Sequence, residues 1–174
     1  VLNADHFLNF PDFRAHEKAF QVLTQVAGRS GRSGDRGKVF LQTYQPEHPI
    51  IKNVINNDYD KMYNNQLIER KDYNYPPFVR LIRITLKDKS YEKLNSSSDW
   101  INKVIRGNFK GIVLGPVYPE ISRIKNKYHK EFLVKLRDLN EINNFRSVFQ
   151  SVKKSFDSIS KYRSVRITVD VDPI

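Results

Sequence analysis

Between residues 25 and 37 the chain reads QVAGRSGRSGDRG, with three arginines and four glycines in thirteen residues. Glycine lets a backbone approach a ligand closely. Arg29 and Arg32 stand three residues apart, so on a helical turn both guanidinium groups reach one phosphate cluster. Such a pair can neutralise charge that develops on a transferring γ-phosphoryl group. Gln25 lies one helical turn before Arg29 and can hydrogen-bond in the same place. Gln25, Gly28, Arg29 and Arg32 are therefore the candidate nucleotide-phosphate residues, with Arg29 and Arg32 in the catalytic role. Composition leaves a second reading open: a solvated Arg/Gly-rich arm on a basic nucleic-acid-binding module without catalysis.

A second stretch, ISRIKNKYHKEFLVKLR at 121–137, surrounds Tyr128 with Arg123, Lys125, Lys127 and Lys130, against a single acid, Glu131. Cations suit phosphates and a ring suits a base, so these five residues are candidate DNA contacts. A solvated hairpin edge guarded by lysines would use the same residues. Arg80 and Arg83 offer a further cationic surface. His6, His16, His48 and His129 are scattered without ligand spacing, so no metal site is expected. Asp170 and Asp172 alternate near a strand end and are expected to be structural there, and Trp100 is expected in the core.

The net charge of +11, from 30 Lys and Arg against 19 Asp and Glu, calls for an anionic partner, nucleic acid before a membrane surface. No run approaches the ~20 apolar residues of a membrane span. The absence of cysteine excludes disulfides and thiolate metal sites in this chain. With no secretory leader read in VLNADHFLNF and no cysteine, a cytoplasmic protein is expected. The opening VLNAD reads as the end of a buried strand, so the sequence predicts a piece that begins inside a domain.

These residues need elements to hold them. The spacing of Phe13, Phe20, Leu23 and Val26 predicts a helix after Pro11 and Asp12, stopped by Gly28. KVFLQTY reads as a strand with Val39, Leu41 and Thr43 on one face. Two short helices follow, the second with Met62, Gln66 and Leu67 on one side. At Pro76 and Pro77 the character changes, and a domain boundary is placed there. From residue 75 the order reads β-α-β-β-α-β, the ferredoxin-like or split βαβ pattern. The run NSSS is poor material for the first of those helices.

Q-x-x-G-R-x-G-R, on Gln25, Gly28, Arg29, Gly31 and Arg32, resembles motif VI of superfamily 2 helicases. PDFRA, YPPF, LGPVYPEISRIKNKYH and DVDPI, in this order, resemble the PriA-type primosomal helicases, over essentially the whole chain. The resemblance implies an α/β chain. Its parts would be the end of the second RecA-like helicase lobe (1–57), a helical connection (58–74) and an α+β ferredoxin-like C-terminal domain binding DNA and partners (75–174). It further implies an ATP-dependent 3′-to-5′ DNA helicase that recognises stalled forks and D-loops and restarts replication. ATP and Mg would serve the full-length protein, and zinc only its upstream part. Partners would be DNA forks, D-loops and single strands, the tail of single-stranded DNA-binding protein and other primosome proteins, with no membrane. Glu17-Lys18-Ala19-Phe20 departs from the family's usual Glu-Arg-Thr-Phe, so no role is carried over for that arginine. The chain holds no GxxxxGK[ST] phosphate loop, so it is expected to be inactive as an ATPase by itself.

Overall fold

The computed structural model describes residues 2–29 and 38–173, which form two compact units, 1–73 and 74–174. In the first unit, β1 (Leu2–Asn3) pairs in parallel with β2 (Leu41–Gln42). Around them lie α1 (Asp5–Leu8), α2 (Ala15–Arg29), α3 (Pro49–Asn56) and α4 (Tyr59–Asp72). Only two residues of KVFLQTY are in strand pairing, yet the expected alternation holds. Val39, Leu41 and Thr43 are half-buried, while Phe40 and Tyr44 are exposed.

Each helix of this unit starts and packs for a local reason. The His48 ring accepts the Ile50 amide at 3.2 Å to cap α3, and Asp58 accepts the Lys61 amide at 3.0 Å to cap α4. Apolar side chains from α1 to α4 then converge on one core, including Leu8, Phe20, Leu23, Ile51, Val54 and Met62. Each fully buried side chain of this size contributes roughly 1.5–3 kcal/mol. Met62 and Gln66 of α4 are buried and Leu67 is half-buried, as their spacing predicted. An ion pair of 2.6 Å joins Arg70 of α4 to Glu17 of α2. Lys18 pairs with Asp12 at 2.7 Å, and Ala19 is fully buried.

The second unit holds β3 (Arg80–Asp88), α5 (Tyr91–Asn108), β4 (Ile112–Val117), β5 (Arg123–Ile124), β6 (Lys127–Leu136), α6 (Leu139–Ser158) and β7 (Arg166–Val171). Its antiparallel sheet runs β4-β6-β3-β7, with β5 added to β6. Each β-α-β crossover therefore skips one strand, β6 in the first and β3 in the second: the split βαβ order. Ile84 and Leu86 of β3, with Phe132 and Val134 of β6, face Leu94 and Ile101 of α5 and Phe145 and Phe156 of α6. Both helices thus cover one face of the sheet. Trp100 packs at the margin of this core, its ring 5.9 Å from Phe156.

Helix α5 runs through the serine run without interruption. Ser96, Ser97 and Ser98 donate their hydroxyls to the carbonyls of Lys93, Leu94 and Asn95, so the polar groups are satisfied within the helix itself. Ser90 caps α5 by accepting the Lys93 amide at 3.2 Å, and Asp138 caps α6 by accepting the Glu141 amide at 2.8 Å. Asp172, just past β7, accepts the Leu81 amide at 3.1 Å and Arg80 at 2.7 Å. That is the structural role expected for it. No helix among the described residues is long and apolar enough to cross a membrane.

Candidate functional site

Two sites were expected, and they lie on different units. On the first, α2 carries Gln25 and ends at Arg29, one turn later on the same side, both exposed. Gly28 does not stop the helix; it occupies the penultimate helical position, in open space. A single glycine costs about 1 kcal/mol in a helix, which the buried face through Phe20 and Leu23 outweighs. Gly31 and Arg32 lie outside the described residues.

On the second unit the basic stretch 121–137 is a hairpin of β5 and β6. Ile124 pairs with Lys127, so the turn has two residues, Lys125 and Asn126, with φ of 48° and 61°. Left-handed φ at both positions is the type I′ geometry that matches strand twist. Arg123 pairs with Tyr128, lies 5.0 Å from the centre of its ring and hydrogen-bonds Asn126. Lys125 sits exposed at the turn and Lys127 is half-exposed.

The hairpin does not stand alone. Tyr128 meets Tyr91, at the start of α5, edge to face at 5.5 Å. Tyr91 in turn stacks on Tyr118, from the β4–β5 connection, at 5.7 Å and 2° between planes. Tyr118 donates to Asn95 of α5 at 2.6 Å. Burial first, and then hydrogen bonding to Tyr91, pushes the Tyr118 hydroxyl up to about 12, so it is a neutral donor at physiological pH. Lys130 is buried: its ammonium donates to Ser98 Oγ at 3.1 Å and lies 5.1 Å from the centre of the Tyr118 ring. Of the five expected contacts, Arg123 and Tyr128 thus meet directly, and Lys130 braces the aromatic group from below.

The arrangement is a set of three rings, with Arg123 over the face of Tyr128, Lys130 over the face of Tyr118 and Tyr91 half open to solvent. Bases stack on such rings, and guanidinium and ammonium groups hold phosphates. Tyr91 and Tyr118 were not singled out by sequence, since Tyr91 is an isolated tyrosine 30 residues before the basic run and Tyr118 stands just outside it without a neighbouring cation. Gly115 permits the close approach of β4 to β6. Its φ is +96°, and a Cβ there would meet the Glu131 carbonyl oxygen at 2.6 Å. Arg106 of α5 closes this corner by donating to the Val113 and Gly115 carbonyls at 2.8 and 3.1 Å. The alternative cations Arg80 and Arg83 are paired with Asp172 at 2.7 Å and Glu131 at 3.8 Å.

A groove of about 490 Å³ lies elsewhere on this unit, between α6 and the sheet beside β7. Ile82, Phe149, Val169 and Val171 line it, with Arg80 and Arg146 among the polar side chains.

Comparison with known proteins covers both units. Residues 71–174, more than half of the chain, match the family model described as primosomal protein N C-terminal domain. The chain is 35% identical to the replication restart protein PriA of Chlamydia muridarum, covering 100% of this chain and 23% of that protein. It is 31% identical to the PriA of Bacillus subtilis, over 99% of this chain and 21% of that protein. With the PriA of Treponema pallidum it shares 32%, over 98% of this chain and 25% of that protein. The chain thus spans about a fifth to a quarter of the length of these curated relatives. On the family match over residues 71–174 and identities that run the length of both units, the chain belongs to the primosomal protein N (PriA) family of replication restart proteins.

Proposed function

We propose that this chain is the C-terminal part of an ATP-dependent 3′-to-5′ DNA helicase that recognises stalled forks and D-loops and restarts replication in the bacterial cytoplasm. In this reading residues 1–57 end the second RecA-like lobe, 58–74 connect, and 75–174 bind DNA and partners. Gln25, Gly28, Arg29 and Arg32 face the ATP phosphates, and Arg29 and Arg32 act on the charge that develops during phosphoryl transfer. The phosphate-cradling loop, the Mg-holding acids and a zinc site belong to upstream parts of the protein. The ferredoxin-like unit takes single-stranded DNA on Tyr91, Tyr118 and Tyr128, with Arg123 and Lys125 on the backbone.

The observation that carries the DNA part is the aromatic group itself. Three tyrosines from α5, a loop and β6 come together beside Arg123 and Lys130 at a partly open surface. For the tail of single-stranded DNA-binding protein, the groove beside β7 offers the fitting chemistry. Its lining is apolar, and among the described residues Arg146 has no ion pair, leaving it for a carboxylate.

Titration of a labelled oligothymidine into the 174-residue chain, at several salt concentrations, tests the DNA reading. Tyr91→Ala and Tyr128→Ala each weaken binding by about 1–3 kcal/mol with little change in salt slope. Unchanged affinity in both variants removes the tyrosines from the DNA surface.

A further inference from the structure

The pleat of β6 divides the basic run 121–137 between two faces of the sheet. Tyr128 and Lys130 lie on the helix side with Arg123, which pairs with Tyr128. Lys127 and His129 lie on the opposite, helix-free side. There Lys87 of β3 stands directly opposite His129 on one side and Arg166 of β7 on the other. One row across three strands therefore holds His129, Lys87 and Arg166, with Lys127 one step along the same face.

Like charges directly opposite each other destabilise a sheet. Further along this face the cations are matched: Arg83 pairs with Glu131 at 3.8 Å, and Lys135 lies 3.6 Å from the centre of the Tyr75 ring. Among the described residues Lys87, Lys127 and Arg166 make no ion pair. Burial first, then Lys87, holds the His129 pKa below its ordinary value, against Glu131 and with Lys127. An unmatched row of this kind is relieved by an anion from outside. Lys87 and Arg166 stand about 5 Å apart as directly opposite residues, and Lys87 and Lys127 about 7–8 Å apart on the diagonal. That fits a chain with a charge at every repeat. The row lies on the opposite face of the same sheet from the tyrosine group, which places it across the sheet from the proposed single-strand surface.

We propose that Lys87, Lys127 and Arg166 form a second phosphate-backbone site on the open sheet face, holding a different DNA arm from the strand stacked on the tyrosines. The β5–β6 hairpin then stands between two arms of a branched DNA. This assignment rests on the tyrosine group being the single-strand site.

The test uses the 174-residue chain with two probes, labelled oligothymidine and a labelled three-way DNA fork. The double variant Lys87→Gln/Arg166→Gln weakens fork binding and flattens its salt dependence by about 0.9 log unit per log salt for each lost contact. Oligothymidine binding stays unchanged, and Lys87→Arg keeps fork affinity. The neutral variant removes a like-charge pair, so its melting temperature is unchanged or raised, which separates lost binding from lost fold. Unchanged fork affinity and slope overturn the site, and so does equal weakening of both probes, which would mean one continuous site. Displacement of the fork by oligoglutamate at matched charge also overturns it, by assigning the row to acidic peptides. Tyr128→Ala reports separately on the underlying reading. If it spares oligothymidine while the double variant still weakens the fork, the tyrosine assignment falls and the two-arm arrangement with it, and only the phosphate contact at Lys87 and Arg166 stands.

Discussion

Arg29 ends an exposed helix whose other side is held by Phe20 and Leu23, so its position is set by packing two turns away. A charge placed this way contributes most where negative charge develops in the transition state. In the complete protein, Arg29→Ala and Arg32→Ala should each lower the ATPase rate by roughly 10³-fold or more while DNA binding remains. Steady-state ATP turnover with and without DNA reads the effect; near-normal rates in both variants would return this stretch to a solvated arm. Gly115 presents a different single-residue constraint. A side chain there meets both a left-handed φ of +96° and the Glu131 carbonyl. Gly115→Ala should destabilise the second unit by about 1–3 kcal/mol, measured by denaturant unfolding. It should also disturb binding at Tyr118, three residues on.

At the scale of elements, the β5–β6 hairpin is the part most exposed to redesign. A lysine with φ of 48° begins its turn, where glycine or asparagine is the usual choice. The left-handed conformation costs an ordinary residue about 1–2 kcal/mol. Lys125→Gly should therefore raise thermal stability slightly, by up to about 1 kcal/mol after the entropy of glycine is counted. The same variant should lower the salt slope of single-strand binding by about 0.7, one phosphate contact. Opposite signs for stability and binding would mark Lys125 as a residue kept for its charge. A turn that loses stability with glycine, or a slope that does not change, would remove that reading. Helix α5 supports this element through Tyr91 against Tyr128 and Ser98 against Lys130, while its Asn95 and Arg106 hold Tyr118 and β4 alongside.

For the whole molecule, the division between Tyr73 and Asn74 separates two cores that, among the described residues, share no buried residue. The second unit has its own sheet, two helices and a closed set of crossovers, so it needs no strand from outside. Residues 74–174 alone should unfold in one cooperative transition and bind the fork with the salt slope of the longer chain. A broad, non-cooperative melt by circular dichroism would contradict this. The 174-residue chain should show no ATP hydrolysis, because it lacks a phosphate-cradling loop. Turnover that persists through a second purification step would refute the assignment of that loop to an upstream part.

Much of this protein was decided by local sequence. The element order from residue 75 save the short β5, the interior face of α4, the structural role of Asp172 and the family-specific stretches are all legible in short windows, because hydrophobic period and turn chemistry act over a few residues. Gly28 misled at that level, since a packed face can outweigh one glycine, while the serine run left the α5 helix where it was expected because its hydroxyls are satisfied inside the helix. What only the tertiary structure decided was which residues meet. Tyr91 is distant in sequence from Tyr118 and Tyr128, and its contacts with them depend on α5 crossing from β3 to β4 over β6. The basic run 121–137 reads as one cluster in sequence, yet the pleat sends Tyr128 and Lys127 to opposite faces, and the register with β3 and β7 chooses their neighbours. Register comes from long-range packing of one buried face, and no window of sequence contains it.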